Sequence, residues 1–179
     1  MEKLDVHLNR ITNAILTLVV LVALAGCGYH FEGMGLTPPA GVRTIAITVL
    51  KNRTSESGIE ILFTSDLAYE FTRSKVLHVV GEDTADAVLS GKVASLRIDT
   101  ISHTASYESD ERRVTVTLDL ALERADGNVI WSDRALSDKE AFKVDPLDKL
   151  ATEKNRRAAI KTMSERLAEK IHNRILQGF

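Results

Sequence analysis

The residues with the clearest chemical signal form the LAGC motif at positions 24–27, which contains the only cysteine of the 179-residue chain. An apolar run over residues 11–25 leads into the motif, and the basic residues Lys3 and Arg10 stand before that run. A basic start, an apolar stretch and small residues before a cleavage point are typical of a secretory signal. A cysteine directly after that point indicates a bacterial lipoprotein signal. The chemistry needs a thiol there, because a diacylglycerol is joined to the Cys27 sulfur before the peptide is cut and the new amino terminus is acylated.

The alternative interpretation of residues 11–25 is a membrane-spanning helix beside an ordinary cysteine. The run has 15 residues, whereas a spanning helix needs about 20, so its length favours the lipoprotein signal. We therefore predict that residues 1–26 are removed and that 153 residues remain. The diacylglycerol and the N-acyl lipid on Cys27 then hold the chain on a membrane, since three acyl chains exceed the two signals that stable anchoring requires.

Composition excludes some classes of function. The formal net charge of −2 gives no electrostatic case for nucleic-acid binding. The single thiol is committed to lipid, so no disulfide forms within the mature chain and stability depends on packing. A chain of this length is expected to fold as one domain.

The first half of the mature chain divides into a tether and the start of a domain. Residues 27–41 are rich in Gly and Pro and predict a flexible tether, and residues 42–179 predict a single domain. Within that domain, residues 43–50 predict a strand, and apolar residues at helical spacing from Ile59 to Phe71 predict a helix. Further strands are expected over residues 76–80 and 87–101, the second with a bulge near Gly91.

The second half contains the clearest strand. Apolar and polar residues alternate over residues 114–122, and a turn at residues 126–128 leads into an antiparallel strand that runs from Val129 towards Phe142. Asp145 is expected to cap a final helix with Pro146 in its first turn, and this helix ends near Gly178. Its apolar stripe contains Leu150, Ile160, Met163, Leu167, Ile171 and Ile175. The order of elements predicts an α/β fold, a two-layer sandwich of a mixed, mostly antiparallel sheet with two amphipathic helices.

No catalytic constellation is found in this sequence. Lys92 after Gly91 is followed by Val93, so the phosphate-binding loop motif is absent, and the chain has no Gly-x-Ser-x-Gly motif. The mature histidines are scattered over tether, strand, loop and helix, and each is predicted to be a surface or edge residue and not a metal ligand. They are His30, His78, His103 and His172. The sequence predicts no enzyme, no metal site and no cofactor apart from the covalent lipid.

One pair of cations is a candidate ligand site. Arg112 and Arg113 stand at the start of the alternating strand, after a polar loop that contains His103, Tyr107 and Asp110. The two arginines either bind an anionic lipid head group or only solvate the end of the strand. Other cations of the final helix alternate with carboxylates and indicate a solvated face.

Several segments, in order, resemble the LptE family of lipopolysaccharide-assembly lipoproteins. The mature start CGYHF at positions 27–31 is the first of them. It is followed by VRTIAI from position 42, NRT from 52, GIE from 58 and ADAVLSG from 85. The strand over residues 114–122 and GNVIW at 127–131 are similar to the central hairpin of the family. Together these segments extend over nearly the whole mature chain.

This resemblance implies a location, a partner and a role. It implies a lipoprotein of the Gram-negative outer membrane that faces the periplasm, fills the lumen of the large β-barrel LptD and helps to insert lipopolysaccharide into the outer leaflet. It also implies an α/β sandwich, and a plug of this kind needs a surface that matches a polar barrel interior. The alternative is a periplasm-facing lipoprotein that activates or scaffolds a cell-wall synthase. Arg112 and Arg113 are the candidate lipopolysaccharide contacts.

Overall fold

The computed structural model describes residues 37–102 and 110–177. Six strands and two α-helices form this part of the chain. In chain order they are β1 (Thr44–Ile47), β2 (Lys51–Asn52), α1 (Ile59–Ser74), β3 (His78–Val79), a 3-10 turn (Glu82–Thr84), β4 (Ala87–Ser102), β5 (Asp110–Arg124), β6 (Val129–Val144) and α2 (Lys149–Gln177). The predicted order of strands and helices is confirmed, although the first strand ends at Ile47 and the short strand β2, beyond the predicted residues 43–50, was not predicted.

The six strands form one mixed sheet. Its order is β3-β1-β4-β5-β6, with β2 also paired to β4. β1 and β2 run parallel to β4, whereas β4 with β5 and β5 with β6 are long antiparallel pairs. The predicted turn joins β5 to β6 through Gly127, whose φ of 84° lies in the left-handed region that suits glycine. The predicted two-layer α/β sandwich is confirmed.

One face of the sheet is buried under the helices. On β5 the even-numbered residues from Val114 to Leu122 are buried, and the odd-numbered residues between them are partly exposed. This is the period of two that a strand imposes. The core continues into α1 through Phe63, Leu67 and Phe71 and into α2 through Met163, Leu167 and Ile171. We call α1 and α2 the helix layer.

The two helices run side by side in the same direction. Lys161 of α2 contacts Asp66 of α1 at 2.5 Å. Further towards the carboxyl ends of both helices, the ring of His172 in α2 packs edge-on against Phe71 in α1, with centroids 5.0 Å apart. α1 ends at Ser74, and Lys75 caps it in the left-handed conformation with a φ of 57°.

Three local predictions at the start of α2 were wrong, since Asp145 is not its cap, Pro146 precedes its first turn and Leu150 is not buried. α2 begins at Lys149, and Asp148, not Asp145, caps it by accepting the N–H of Ala151 at 2.9 Å. The Asp145 carboxylate instead accepts the N–H groups of Leu147 and Asp148 in the preceding turn. This later start has a consequence for Leu150, because the leucine lies in the first turn of α2 and is exposed.

The bulge in β4 lies after Gly91, between Val93 and Ser95. Gly91 serves a different purpose. A Cβ atom at Gly91 would lie 2.2 Å from the carbonyl oxygen of Asp119 and 2.7 Å from Leu120 Cδ2. The glycine therefore permits a close approach of β5.

The residues that precede β1, from Thr37 to Ala40, are hydrogen-bonded to one end of the domain. Thr37 donates its N–H to the carbonyl of Leu176 in the last turn of α2 at 3.0 Å. The Arg124 guanidinium, at the end of β5, donates to the carbonyl of Ala40 at 2.5 Å. Pro39 between them is buried. The point where the chain joins the domain is thus next to the β5–β6 turn.

Candidate functional site

The predicted lipidation site Cys27 lies outside the described residues, so the lipid on its sulfur stays a prediction. The predicted arginine pair is described. Arg112 and Arg113 are consecutive residues of β5, so their side chains lie on opposite faces of the sheet. Arg112 has the same parity as Val114 and belongs to the helix side, beyond the cover of the helices. Arg113 belongs to the open side, and the two arginines therefore do not form one site.

The structure joins Arg113 to cations that the sequence analysis did not select. In the β4–β5 register, Asp99 is opposite Arg113 and Arg97 is opposite Thr115. In the β5–β6 register, Lys139 is opposite Thr115. Paired residues of neighbouring strands share a face, so Arg97, Lys139 and Arg113 lie together. Only the register reveals this cluster, since the residues are far apart in sequence.

The cluster is part of a larger charged surface, which we call the basic face. It is the side of the sheet opposite the helix layer. Its cations are Lys51, Lys92, Arg97, Arg113, Arg134, Lys139 and Lys143, and its carboxylates are Asp99, Glu111, Asp119 and Glu123. Seven cations against four carboxylates leave a formal charge of +3, in a chain whose total is −2.

Hydroxyl groups occupy many of the remaining positions of the basic face. They belong to Ser90, Ser95, Thr115, Thr117, Ser132 and Ser137. Among the side chains that the structure describes on this face, one ion pair is formed, between Lys92 and Asp119 at 3.1 Å. The other cations of the face are not in ion pairs within the described part of the chain. The basic face is a polar surface with cations available to a partner.

Asp119 also fixes the backbone of β6 at the part of the basic face that contains Arg134. Its carboxylate accepts the backbone N–H of Ala135 at 2.9 Å, and this hydrogen bond, followed by that from Lys92, lowers the pKa of Asp119. Ala135 has a φ of 64° in a β-bulge of β6. The carboxylate thus holds a bulge that brings Arg134 next to a groove of about 540 Å³ along the sheet.

The helix layer differs because most of its cations are paired within the molecule. Arg156 contacts Glu56 and Glu153 at 2.9 and 2.6 Å. Arg166 contacts Asp138 and Glu140 of β6 at 2.7 and 2.6 Å. Arg73, Arg157, Lys161 and Arg174 also form ion pairs. Most of these pairs tie α2 to its neighbours and leave little free charge for a ligand.

A third surface lies at the end of the domain that is remote from Thr37. Arg112 is exposed there and forms no ion pair with a described side chain. Ile98 of β4 is 40 % exposed, and Leu147 and Leu150 before and in the first turn of α2 are 97 % and 80 % exposed. We group these four residues by their position at this end of the domain and call them the far-end patch. It combines a cation with apolar side chains, a composition that suits an amphiphile with an anionic head.

The described histidines do not form a metal site. His78 is exposed on the edge strand β3. The prediction that His172 is a surface or edge residue was wrong, because its ring is buried against Phe71 in the core. His30 and His103 lie outside the described residues. Within residues 37–102 and 110–177 no group of three His, Cys, Asp or Glu side chains has the arrangement to hold a metal ion.

Neither helix has the combined length and apolar character that crossing a bilayer requires, as judged over the described ranges.

Solved structures of bacterial lipoproteins share this fold. A minor lipoprotein from Acinetobacter baumannii is 18% identical, with a TM-score of 0.55 over 78% of this chain and 95% of that one. Lipoprotein B from Nitrosomonas europaea is 17% identical, with a TM-score of 0.55 over 84% of this chain and 92% of that one. The rare lipoprotein B from Shewanella oneidensis is 18% identical, with a TM-score of 0.51 over 74% and 92%. At these identities the likeness shows the fold alone.

No curated protein matches the sequence significantly. The family comparison is more informative. Residues 42–175 match the family described as LptE, lipopolysaccharide-assembly. This match covers the sheet, the helix layer and the basic face, and it extends over most of the chain. The resemblance that the sequence motifs indicated is therefore confirmed, and the chain belongs to the LptE family of lipopolysaccharide-assembly proteins.

Proposed function

We propose that this protein is an outer-membrane lipoprotein that assembles lipopolysaccharide at the cell surface together with an LptD-like β-barrel. It acts as a plug and an assembly factor of the barrel and performs no catalysis itself. The observation that carries this proposal is the family match over residues 42–175. The LAGC motif at 24–27 supplies the lipid anchor on Cys27, on the periplasmic side of the membrane.

The dimensions of the domain support a plug. Arg124 binds the entering chain at Ala40, and Arg112 lies twelve residues away at the other end of the same strand. At about 3.3 Å per residue, this distance is about 40 Å. A bilayer with its head groups is about 40–45 Å thick. If the long strands lie along the barrel axis, the far-end patch is therefore on the opposite side of the membrane from the point where the lipidated chain joins the domain.

The far-end patch is the proposed contact for lipopolysaccharide. Lipopolysaccharide joins phosphate groups to acyl chains, and Arg112 offers a charge at the same end of the domain as the exposed apolar side chains of Ile98, Leu147 and Leu150. Arg113 lies on the basic face, so its substitution tests a separate contact. We expect Arg112→Glu to weaken the binding of purified lipopolysaccharide while Arg113→Glu has a smaller effect. Unchanged binding in both variants would remove both arginines from the site.

Affinity purification from native envelopes tests the proposed partnership. We expect a stable one-to-one complex with a very large outer-membrane barrel. Retention on a peptidoglycan synthase would instead support the alternative, a lipoprotein that activates or scaffolds a cell-wall enzyme.

Metabolic labelling with a fatty acid tests the anchor. The wild-type protein should be labelled, and Cys27→Ala should leave an unlabelled, uncleaved precursor, because the chain has no other cysteine. Label on both proteins would contradict the lipoprotein prediction.

A further inference from the structure

The basic face carries an excess of cations that have no ion-pair partner within the described chain, apart from Lys92. Its +3 charge contrasts with a total of −2 for the chain, so the rest of the molecule is acidic. Soluble surfaces normally mix both signs. A segregated charge of this kind favours association with an oppositely charged surface and disfavours contact with a basic one.

The arrangement of the cations indicates how large the complementary surface is. Lys92 is opposite Asp119 and Lys143 is opposite Glu111, eight residues apart along β5. The cations thus extend over about 25 Å of strand. Arg97 and Lys139 lie on either side of β5, about 10 Å apart at the backbone. Such spacing fits an extended surface of carboxylates better than one compact anion.

The neutral residues of the basic face point to the same kind of partner. Thr115, Thr117 and Ser137 occupy its centre and carry hydroxyl groups that both donate and accept hydrogen bonds. Large apolar side chains do not occupy this centre. A lipid acyl chain gains little here, whereas a polar protein wall with acidic side chains finds a hydrogen-bond partner at most positions.

We propose that the basic face, and not the helix layer, is the surface that docks onto the acidic inner wall of the barrel partner. This inference rests on the proposed function and specifies it, because the lumen of a membrane barrel is polar. The helix layer then faces the remaining lumen, where its paired cations remain satisfied by intramolecular carboxylates.

A photocrosslinking experiment tests this orientation in the full-length lipidated protein within native envelopes. A crosslinking amino acid replaces Thr117 at the centre of the basic face, and the matched control replaces Thr162 on the exposed side of α2. We expect the barrel to crosslink at Thr117 and at least about tenfold less at Thr162. Crosslinks mainly from Thr162 would overturn the proposal. Crosslinks from Thr117 to lipopolysaccharide in place of the barrel would also overturn it.

Charge reversal gives an independent readout. The pair Arg97→Glu and Lys139→Glu should reduce the amount of barrel that co-purifies by about tenfold, with a larger loss at low salt than at high salt. The control pair Lys154→Glu and Lys170→Glu changes exposed cations of α2 that form no ion pair with a described residue, and it should stay within about twofold of wild type. Equal losses in both pairs would overturn the assignment.

Misfolding and failure of the proposed function are distinguishable from failure of the orientation. Arg97→Gln with Lys139→Gln removes charge without repulsion and should give an intermediate loss, with an unchanged thermal midpoint. If the wild-type protein retains no barrel, the proposed function and the orientation both fail. If the wild type retains the barrel and the reversed pair retains as much, the orientation alone fails.

Discussion

The helix layer and the basic face are both rich in cations, but they use them differently. In the helix layer, cations such as Arg156 and Arg166 each contact two carboxylates of the same chain. On the basic face, Arg97, Arg113 and Lys139 have no ion pair with a described side chain. Charge content alone therefore does not identify a functional surface. A cluster of cations that intramolecular partners leave free, such as Arg97, Arg113 and Lys139, is the better indication.

A core truncation should have the largest effect and should separate the two faces of one strand. Leu118 is fully buried under the helix layer and Thr117 belongs to the basic face. Leu118→Ala should lower the free energy of unfolding by about 2 to 5 kcal/mol, whereas Thr117→Ala should stay within about 0.5 kcal/mol. Denaturant melts of the two variants give both values. Equal midpoints would mean that the two faces are assigned wrongly.

The next largest loss of stability is expected at Gly91, which lies between Ser90 and Lys92 of the basic face. Gly91→Ala places a Cβ 2.2 Å from the Asp119 carbonyl oxygen, and relief of this clash requires β4 and β5 to separate. We expect a loss of about 1 to 3 kcal/mol. Gly81→Ala is the control, since no atom lies within 4 Å of its Cβ position. A stable Gly91→Ala variant would show that the β4–β5 spacing is less constrained than the contacts indicate.

Removal of a single cation should reduce stability in the helix layer but not on the basic face. Arg166→Ala breaks contacts with Asp138 and Glu140 and should cost up to about 1 kcal/mol, because the guanidinium is still 45% exposed. Arg97→Ala should leave the thermal midpoint unchanged and affect binding to the barrel instead. If Arg97→Ala destabilises the protein as much as Arg166→Ala does, the cations of the basic face have structural partners after all.

The smallest expected effect is a pH dependence in the helix layer. The hydrogen bond from Arg156, with a further one from Arg157, lowers the pKa of Glu153 from 4.5 to about 2. A lowered pKa means that the ionised carboxylate stabilises the fold fully above pH 4.5, and that this contribution is lost as the pH falls towards 2. Urea melts of wild type and Glu153→Gln should therefore differ most near about pH 6 and converge in acid. A difference that is independent of pH would contradict this assignment.

Much of the fold could be predicted from periodicity. The alternation on β5 gave the buried face correctly, and the helical spacing around Phe63 and Leu67 gave α1. Local competition explains the errors at the start of α2. Asp145 and Asp148 are both capable helix caps, and the sequence alone does not decide that Asp145 instead holds a turn.

The candidate surface was less predictable than the fold. Arg112 and Arg113 are predicted as a pair because they stand together at the start of the alternating strand beside a polar loop, yet consecutive residues of a strand place their side chains on opposite faces. Arg97 and Lys139 join Arg113 only through the register of three strands. The position of Gly91 was also predicted for the wrong reason, because the close approach of β5 is a long-range contact that no local pattern encodes.

The role of the basic face is tested most directly by replacing the chromosomal copy of the protein with variants of the two regions. We predict that the Arg97→Glu and Lys139→Glu pair reduces the amount of correctly assembled barrel in the outer membrane and lets large hydrophobic antibiotics through. Lys154→Glu with Lys170→Glu should behave as wild type. A normal envelope and normal barrel assembly with the basic-face pair, or after complete depletion of the protein, would contradict the claim that this chain assembles lipopolysaccharide through its basic face.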